Sequence, residues 1–224
     1  MFERVEMRAA ELTASRRFYA TVLGALPLAP TRRDDGGHAV AWGDFALAQA
    51  RAGLPPTRGL HIGFAASSRG AVDAFWEAGV RAGHRDAGPP GPRPQYRPDY
   101  YGAFLLAPDG NSAEAVDYEG VRRDGAVDHL WIRVADLAAS RRWYGALAQR
   151  AGLGIGGEQP ERFHVRPGHG AHGGSFALVA GGEPTRNAHL AVVAGAATVV
   201  GMHIDPGGNR VELVQPPPRA RDAP

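Results

Sequence analysis

Two stretches far apart in the chain carry one pattern of apolar and polar positions: "ERVEMRAAELTASRRFY" (3–19) and "VDHLWIRVADLAASRRWY" (127–144). Each opens on strict alternation, as a half-buried strand does. Each then changes period, and "LTASRRFYATVLGAL" (12–26) and "LAASRRWYGALAQRAG" (137–152) read as amphipathic helices closed by a glycine region. A third helical pattern lies in "SSRGAVDAFWEAGVRAG" (67–83), where Val72, Phe75, Trp76, Gly79 and Val80 fall at i, i+3, i+4 spacing beside a charged face. Short apolar runs follow, and the tetrads "PDGN" (108–111) and "PGGN" (206–209) are turn signals between pairs of them.

The similarity extends beyond these stretches, which points to an internal repeat. Ser15 answers Ser140 at an offset of 125, and His61 answers His189 at an offset of 128. Glu114 answers Glu212 at an offset of only 98, so 30 residues are lost between the last two landmarks. The segment with no counterpart contains the third helical pattern. The chain is therefore expected to be an α+β protein of four βαβββ modules in tandem. The fourth is abridged, having lost its helix and one strand. Two domains follow at 1–118 and 128–215, with a linker at 119–127 and a tail at 216–224, "PPPRARDAP". In the second copy the apolar run "HLAVVAGAATVVGM" lacks its helix, so a second subunit, in a homodimer, or the C-terminal tail is expected to cover it.

Composition narrows the chemistry. The sequence has no cysteine, which excludes disulfides, thiolate metal sites and cysteine nucleophiles. All 25 basic residues are arginine. Without lysine there is no Schiff-base chemistry. Guanidinium forks suit phosphate or carboxylate recognition, but an arginine-biased genome is the better account of the usage. A net charge of +2 with no basic block gives no support for nucleic-acid binding. No apolar run has membrane-spanning length, and the N-terminus lacks the apolar core of a secretory signal, so a cytoplasmic protein is expected.

The stretches "VDHLWIRVADLAASRRWY", "GLHIGFAA", "GPPGPRPQYRPDYYGAFLLAPDGNSAEAV" and "DPGGNRVELV" together resemble the vicinal oxygen chelate superfamily: glyoxalases, bleomycin-resistance proteins and extradiol dioxygenases. The resemblance reaches residue 215. It implies paired modules forming two glyoxalase-like domains, each pair curled into a cup that holds a divalent metal between the first and last strands of its modules. Carried over to this chain, the first-strand positions are Arg4, His61, His129 and His189. The last-strand positions are read as Gln49, Glu114, Ala180 and Glu212. Imidazole and carboxylate suit Fe(II) or Mn(II), with Zn(II) or Ni(II) as alternatives. An arginine cannot ligate a cation.

Two groupings give a complete set. If neighbouring modules pair, as in extradiol dioxygenases, His129, His189 and Glu212 form the site; if the modules swap, as in fused glyoxalases, the site is His61, Glu114 and His129. Family precedent tilts the choice toward neighbour pairing. The implied activity is that of a metal-dependent enzyme on a small substrate chelating through adjacent oxygens, with a dioxygenase first and a glyoxalase-type isomerase or lyase second. A non-catalytic small-molecule binder of the bleomycin-resistance type is the reading from another class. His203 is placed beside Glu212 as a proton-transfer group. Tyr101, with Tyr96 and Tyr100, is placed at the cavity mouth. The formal GxGxxG of "RPGHGAHGGSF" (166–176) runs into a strand and not a helix, so a dinucleotide site is excluded, while His164, His169 and His172 there belong to a surface loop or the cup wall.

Overall fold

A computed structural model of the chain describes residues 2–33, 37–156, 159–167, 174–195 and 200–215. Module one comprises β1 (Phe2–Ala9), α1 (Leu12–Gly24), β2 (Arg32–Arg33), β3 (Ala39–Trp42) and β4 (Phe45–Gln49). Module two comprises β5 (Leu60–Ala65), α2 (Arg69–Arg81), β6 (Arg85–Pro92), β7 (Tyr101–Leu106) and β8 (Ser112–Asp117). Module three has β9 (Val127–Val134), α3 (Leu137–Ala151), β10 (Gly154–Ile155), β11 (Arg162–Arg166) and β12 (Ser175–Ala180). In module four only β13 (His189–Val193), β14 (Gly201–Ile204) and β15 (Arg210–Val214) occur among the described residues, in agreement with a lost helix and strand.

Helices α2 and α3 start where the sequence supplies caps, whereas α1 has no side-chain cap. The side chain of Ser68 accepts from Ala71 N at α2, and that of Asp136 accepts from Ala139 N at α3. Their apolar stripes pack between two sheets, and a single core runs from Phe18, Tyr19 and Phe45 through Phe64 to Leu190 and Val211.

The sheets are ordered β14-β15-β13-β1-β4-β3-β2 and β10-β11-β12-β9-β5-β8-β7-β6. Each sheet therefore takes one module from each half of the chain, and the tilt toward neighbour pairing is corrected to the swapped arrangement. The stretches 1–118 and 128–215 contribute to both sheets. Side chains at the crossing lock this arrangement. Thr57 Oγ1 donates to Asn187 O (3.0 Å) and Thr185 Oγ1 to Gly59 O (2.7 Å), tying the approaches to β5 and β13 together. At the other end Asp44 accepts from Ala126 N and Val127 N and pairs with Arg122, which fixes the entry to β9 against module one.

Part of the surface left by the lost fourth helix is buried among the described residues. Leu190, Val192, Val211 and Leu213 are buried in the same core as Tyr144 and Leu147 of α3. Tyr144 OH donates to Asp205 Oδ2 at 2.8 Å, and Gly195 N to Ala151 O at 2.8 Å. Module three's helix thus meets part of the surface for which a second subunit or the tail was expected. Residues 216–224 lie outside the described residues. Val200, Met202 and Ile204 remain exposed along β14.

Candidate metal centre

β5, β8 and β9 lie side by side in the middle of the second sheet. The asparagine of "PDGN" sets their register: Asn111 Oδ1 accepts from Leu60 N (3.0 Å), and its Nδ2 donates to Thr57 O (2.9 Å). Gly63 then lies opposite Glu114 on one side and opposite His129 on the other. His61 lies between Ser112 and Trp131. Because opposed residues share a face, both histidines and the glutamate project to the same side.

Glycine makes the convergence feasible. A Cβ on Gly63 would stand 2.3 Å from His129 Cε1, so the imidazole lies directly over a position that has no side chain. A Cβ on Gly102 would stand 2.6 Å from Glu114 Oε1.

The three side chains meet at close range. His61 Nε2 is 3.0 Å from Glu114 Oε2, His129 Nε2 is 3.3 Å from the same oxygen, and the two ring nitrogens are 3.4 Å apart. Bonds of about 2.1 Å to one metal would separate adjacent donors by about 3.0 to 3.4 Å at octahedral to tetrahedral angles. The donor set therefore fits a divalent ion without rearrangement. Each ring is also held from behind, as ligating histidines are. His61 Nδ1 is 3.0 Å from Ser112 Oγ, and His129 Nδ1 is 3.0 Å from Asp128 Oδ2. Tyr118 OH donates to Asp128, and Tyr100 OH donates to Glu114 Oε1 at 2.8 Å. Both ring nitrogens Nε2 are left facing the centre.

The charges suit a cation. Burial opposes the imidazolium of His129, but Asp128 and Glu114 outweigh it and hold the group up to about 10. Burial works in the opposite sense on Glu114, where the two histidines prevail and bring the carboxyl down to about 2. Burial lowers His61. A metal entering at neutral pH therefore displaces a proton from His129 and finds the other two donors already deprotonated. Burial, followed by the charge of Glu114, pushes the Tyr100 phenol far up, which keeps it a hydrogen-bond donor.

The other sheet repeats the frame with different contents. Asn209 pins β13 as Asn111 pins β5, accepting from Ala188 N at 3.0 Å, and His189 Nε2 lies 3.1 Å from Glu212 Oε2. At the place of His129 stands Arg4, with its guanidinium 3.7 Å from Glu212 and 3.8 Å from Glu6. Ala191 occupies the place of Gly63, opposite Arg4. This half carries a built-in positive charge instead of a third ligand. Arg4→His alone should acquire no metal, because the Ala191 methyl fills the space an imidazole would need. The double variant Arg4→His/Ala191→Gly should bind about one more equivalent than the parent, read by elemental analysis.

The remaining candidates from the sequence lie elsewhere. Tyr101 faces away from the cup and donates to Asp73 of α2 at 2.9 Å; its neighbour Tyr100 reaches the site. The alternation along β7 explains the difference, since Glu114 shares its face with Phe104 and Gly102 and not with Tyr101. His203 pairs with Val211, whereas Glu212 pairs with Met202, so His203 lies on the opposite face from Glu212. Gln49 donates to the carbonyls of Ala9, Ala10 and Ala50, closing the β1–α1 turn. Register places Ala46 opposite Glu6 and Ala177 opposite Trp131, so these alanines, not Gln49 and Ala180, hold the last-strand positions. His169 and His172 lie outside the described residues, but His164 faces Ala177 across β11 and β12.

A cavity of about 770 Å³ reaches the centre at His129 and is lined also by Asp128, Trp131 and Ala177. Tyr96, Arg97, Arg162, His164 and Arg166 are among its walls.

No protein-family model matches the sequence, and no curated protein matches it. Solved structures do match. Glyoxalase I from Zea mays is 16% identical, with 96% of this chain and 92% of that chain covered and a TM-score of 0.66. A Bacillus subtilis protein assigned as a candidate dioxygenase is 14% identical over 97% of this chain and 85% of its own, with a TM-score of 0.63. A glyoxalase/bleomycin resistance protein from Albidiferax ferrireducens is 32% identical over 52% of this chain and 98% of its own, with a TM-score of 0.47. The chain has the vicinal oxygen chelate fold, with four modules in two sheets and a candidate metal centre in one of them. Among the described residues no helix is long and apolar enough to cross a membrane.

Proposed function

We propose that the protein is a metal-dependent enzyme acting on a small substrate that chelates the metal through adjacent oxygens, with ring-cleaving dioxygenation of a catechol-type compound as the reaction. The observation that carries this reading is the donor set: two histidines and one glutamate converge, and the fourth position is Ala177. Two-histidine, one-carboxylate triads leave adjacent coordination positions open and are characteristic of Fe(II) oxygenases. His61, Glu114 and His129 would hold the ion, and Fe(II) or Mn(II) would polarise the chelated oxygens and bring them together with dioxygen.

The chain's own groups set the conditions. Asp128 would keep the proton of His129 on Nδ1, and Ser112 holds the aim of His61. Tyr100 holds the second oxygen of Glu114, which keeps the carboxylate monodentate toward the centre. Trp131 and Tyr96, edge-on to one another with centroids 5.5 Å apart, form an apolar corner for a planar ring. Burial and the charges of Arg166 and Arg162 lower His164, which makes it a neutral base on the cavity wall. A glyoxalase-type isomerase is the second reading, supported by the swapped modules and weakened by the alanine at 177. Oxygen uptake on adding catechols to Fe(II)-loaded protein tests the choice. Consumption lost in His129→Ala supports dioxygenation, whereas metal-dependent turnover of an α-ketoaldehyde adduct without oxygen would replace it with the isomerase.

A further inference from the structure

One strand of the cavity wall carries a row of basic side chains. Arg162, His164 and Arg166 alternate along β11 and line the cavity, while Phe163 and Val165 between them are buried in the core. His164 lies opposite Ala177, Ala177 opposite Trp131, and Trp131 opposite His61, so a single cross-sheet row leads from β11 to the centre. The residues of β12 in this space are small, Ser175 and Ala177, which leaves the gap open.

Two other arginines of the lining have carboxylate partners, Arg122 with Asp44 and Asp124, and Arg97 with Asp99, while Arg123 is exposed. Asp128 is engaged by His129 and Tyr118. Among the described residues neither Arg162 nor Arg166 has a carboxylate within ion-pairing distance. The guanidinium of Arg162 instead lies over Trp131, 4.9 Å from the ring centroid, and 5.9 Å from that of Tyr96. Two uncompensated guanidinium groups beside low-dielectric walls give this side of the cavity a positive potential. A guanidinium held over an aromatic ring without a carboxylate partner keeps N–H donors for a bidentate carboxylate.

We propose that the substrate carries, besides its metal-chelating oxygens, a carboxylate on the same planar ring system, and that Arg162 and Arg166 bind that carboxylate while His164 lies between them. The inference rests on the metal-centre reading and adds the substrate class. The spacing supports it. Strands β9 and β11 are two steps apart, about 10 Å at roughly 4.8 Å per step. An arginine reaching back about 5 Å leaves the width of one aromatic ring between carboxylate and chelating oxygens.

The test uses full-length protein loaded with Zn(II), which binds without redox chemistry, and calorimetric titration with catechol and with 3,4-dihydroxybenzoate. The carboxylated probe should bind at least tenfold more tightly. Arg162→Gln should remove most of that difference while leaving metal content unchanged, and Arg162→Lys should restore part of it. Equal affinities in metal-loaded wild-type protein, or a preference that survives Arg162→Gln/Arg166→Gln, would overturn the proposal and leave the metal centre standing. Benzoate against benzamide needs no metal. A benzoate preference lost in Arg162→Gln, in protein that takes up no metal, would uphold the carboxylate site and sink the metal reading.

Discussion

Protein carrying Glu114→Ala is expected to purify without divalent metal, even after reconstitution, and to be about 3 kcal/mol less stable than the parent in chelator-treated form. The carboxylate is 1% exposed and joins both histidines to Tyr100, so its removal orphans a buried phenol and leaves His129 with Asp128 alone. A carboxyl brought from 4.5 to about 2 contributes about 3 kcal/mol of stability above its unfolded value. The sign follows: the contribution is complete above pH 4.5 and is lost as pH falls toward 2. Denaturant unfolding should therefore separate parent from Glu114→Gln at pH 7 and bring the two together near pH 2. A separation that persists unchanged at low pH would show that the carboxylate charge is not what stabilises the site.

The second large effect is steric. Gly63→Ala should lower metal affinity by about ten- to a hundredfold although it alters no donor atom. The added methyl would overlap the His129 ring at 2.3, 2.6 and 2.9 Å from three of its atoms. The backbone there is the middle strand of an eight-stranded sheet and cannot yield, so the ring must rotate off the centre. Rotation also breaks the contact with Asp128, and the rearrangement costs about 1 to 3 kcal/mol, as overpacking does. Metal titration of the variant, with circular dichroism to confirm the fold, measures this. Wild-type affinity would mean that His129 does not occupy the position the sheet gives it.

These effects show which parts of the molecule are legible in the sequence. The helices are readable because period 3.6 is carried by large residues such as Phe18, Trp76 and Tyr144. The loss of a helix and strand in module four is readable because His189 and Glu212 are both retained at a shortened spacing. Module pairing is not readable, since alternation in β1, β5, β9 and β13 is satisfied by either neighbour. What decides it are single hydroxyls and carboxylates, Thr57, Thr185 and Asp44, reaching across more than 80 residues. The last-strand assignment slips by three residues in modules one and three because Ala46 and Ala177 leave no chemical mark. Counting from Asp44 and Ser175 as Glu114 counts from Ser112 finds them. Tyr101 and Tyr100 are adjacent tyrosines that differ only in strand face, and extending the Glu114 face back through Phe104 and Gly102 separates them. His164 carries a signal of its own, the alternation Arg162, His164, Arg166 against Phe163 and Val165, which marks a strand face and not a loop.

The replacement of His129 by Arg4 in the first copy also takes on a physical meaning. Once a cation is supplied covalently, the sheet no longer needs a glycine opposite it, and Ala191 stands where Gly63 does. One sheet keeps an open triad, and in the other Arg4 stands in ion-pairing distance of Glu212.

Elemental analysis of protein purified without added metal, alongside His61→Ala and His189→Ala, tests the central claim most directly. About one metal per chain in the parent, retained in His189→Ala and absent from His61→Ala, is the result the swapped His61, Glu114 and His129 centre predicts. Loss in His189→Ala with retention in His61→Ala would contradict it, as would no metal in any sample after anaerobic reconstitution with Fe(II), Mn(II), Zn(II) and Ni(II).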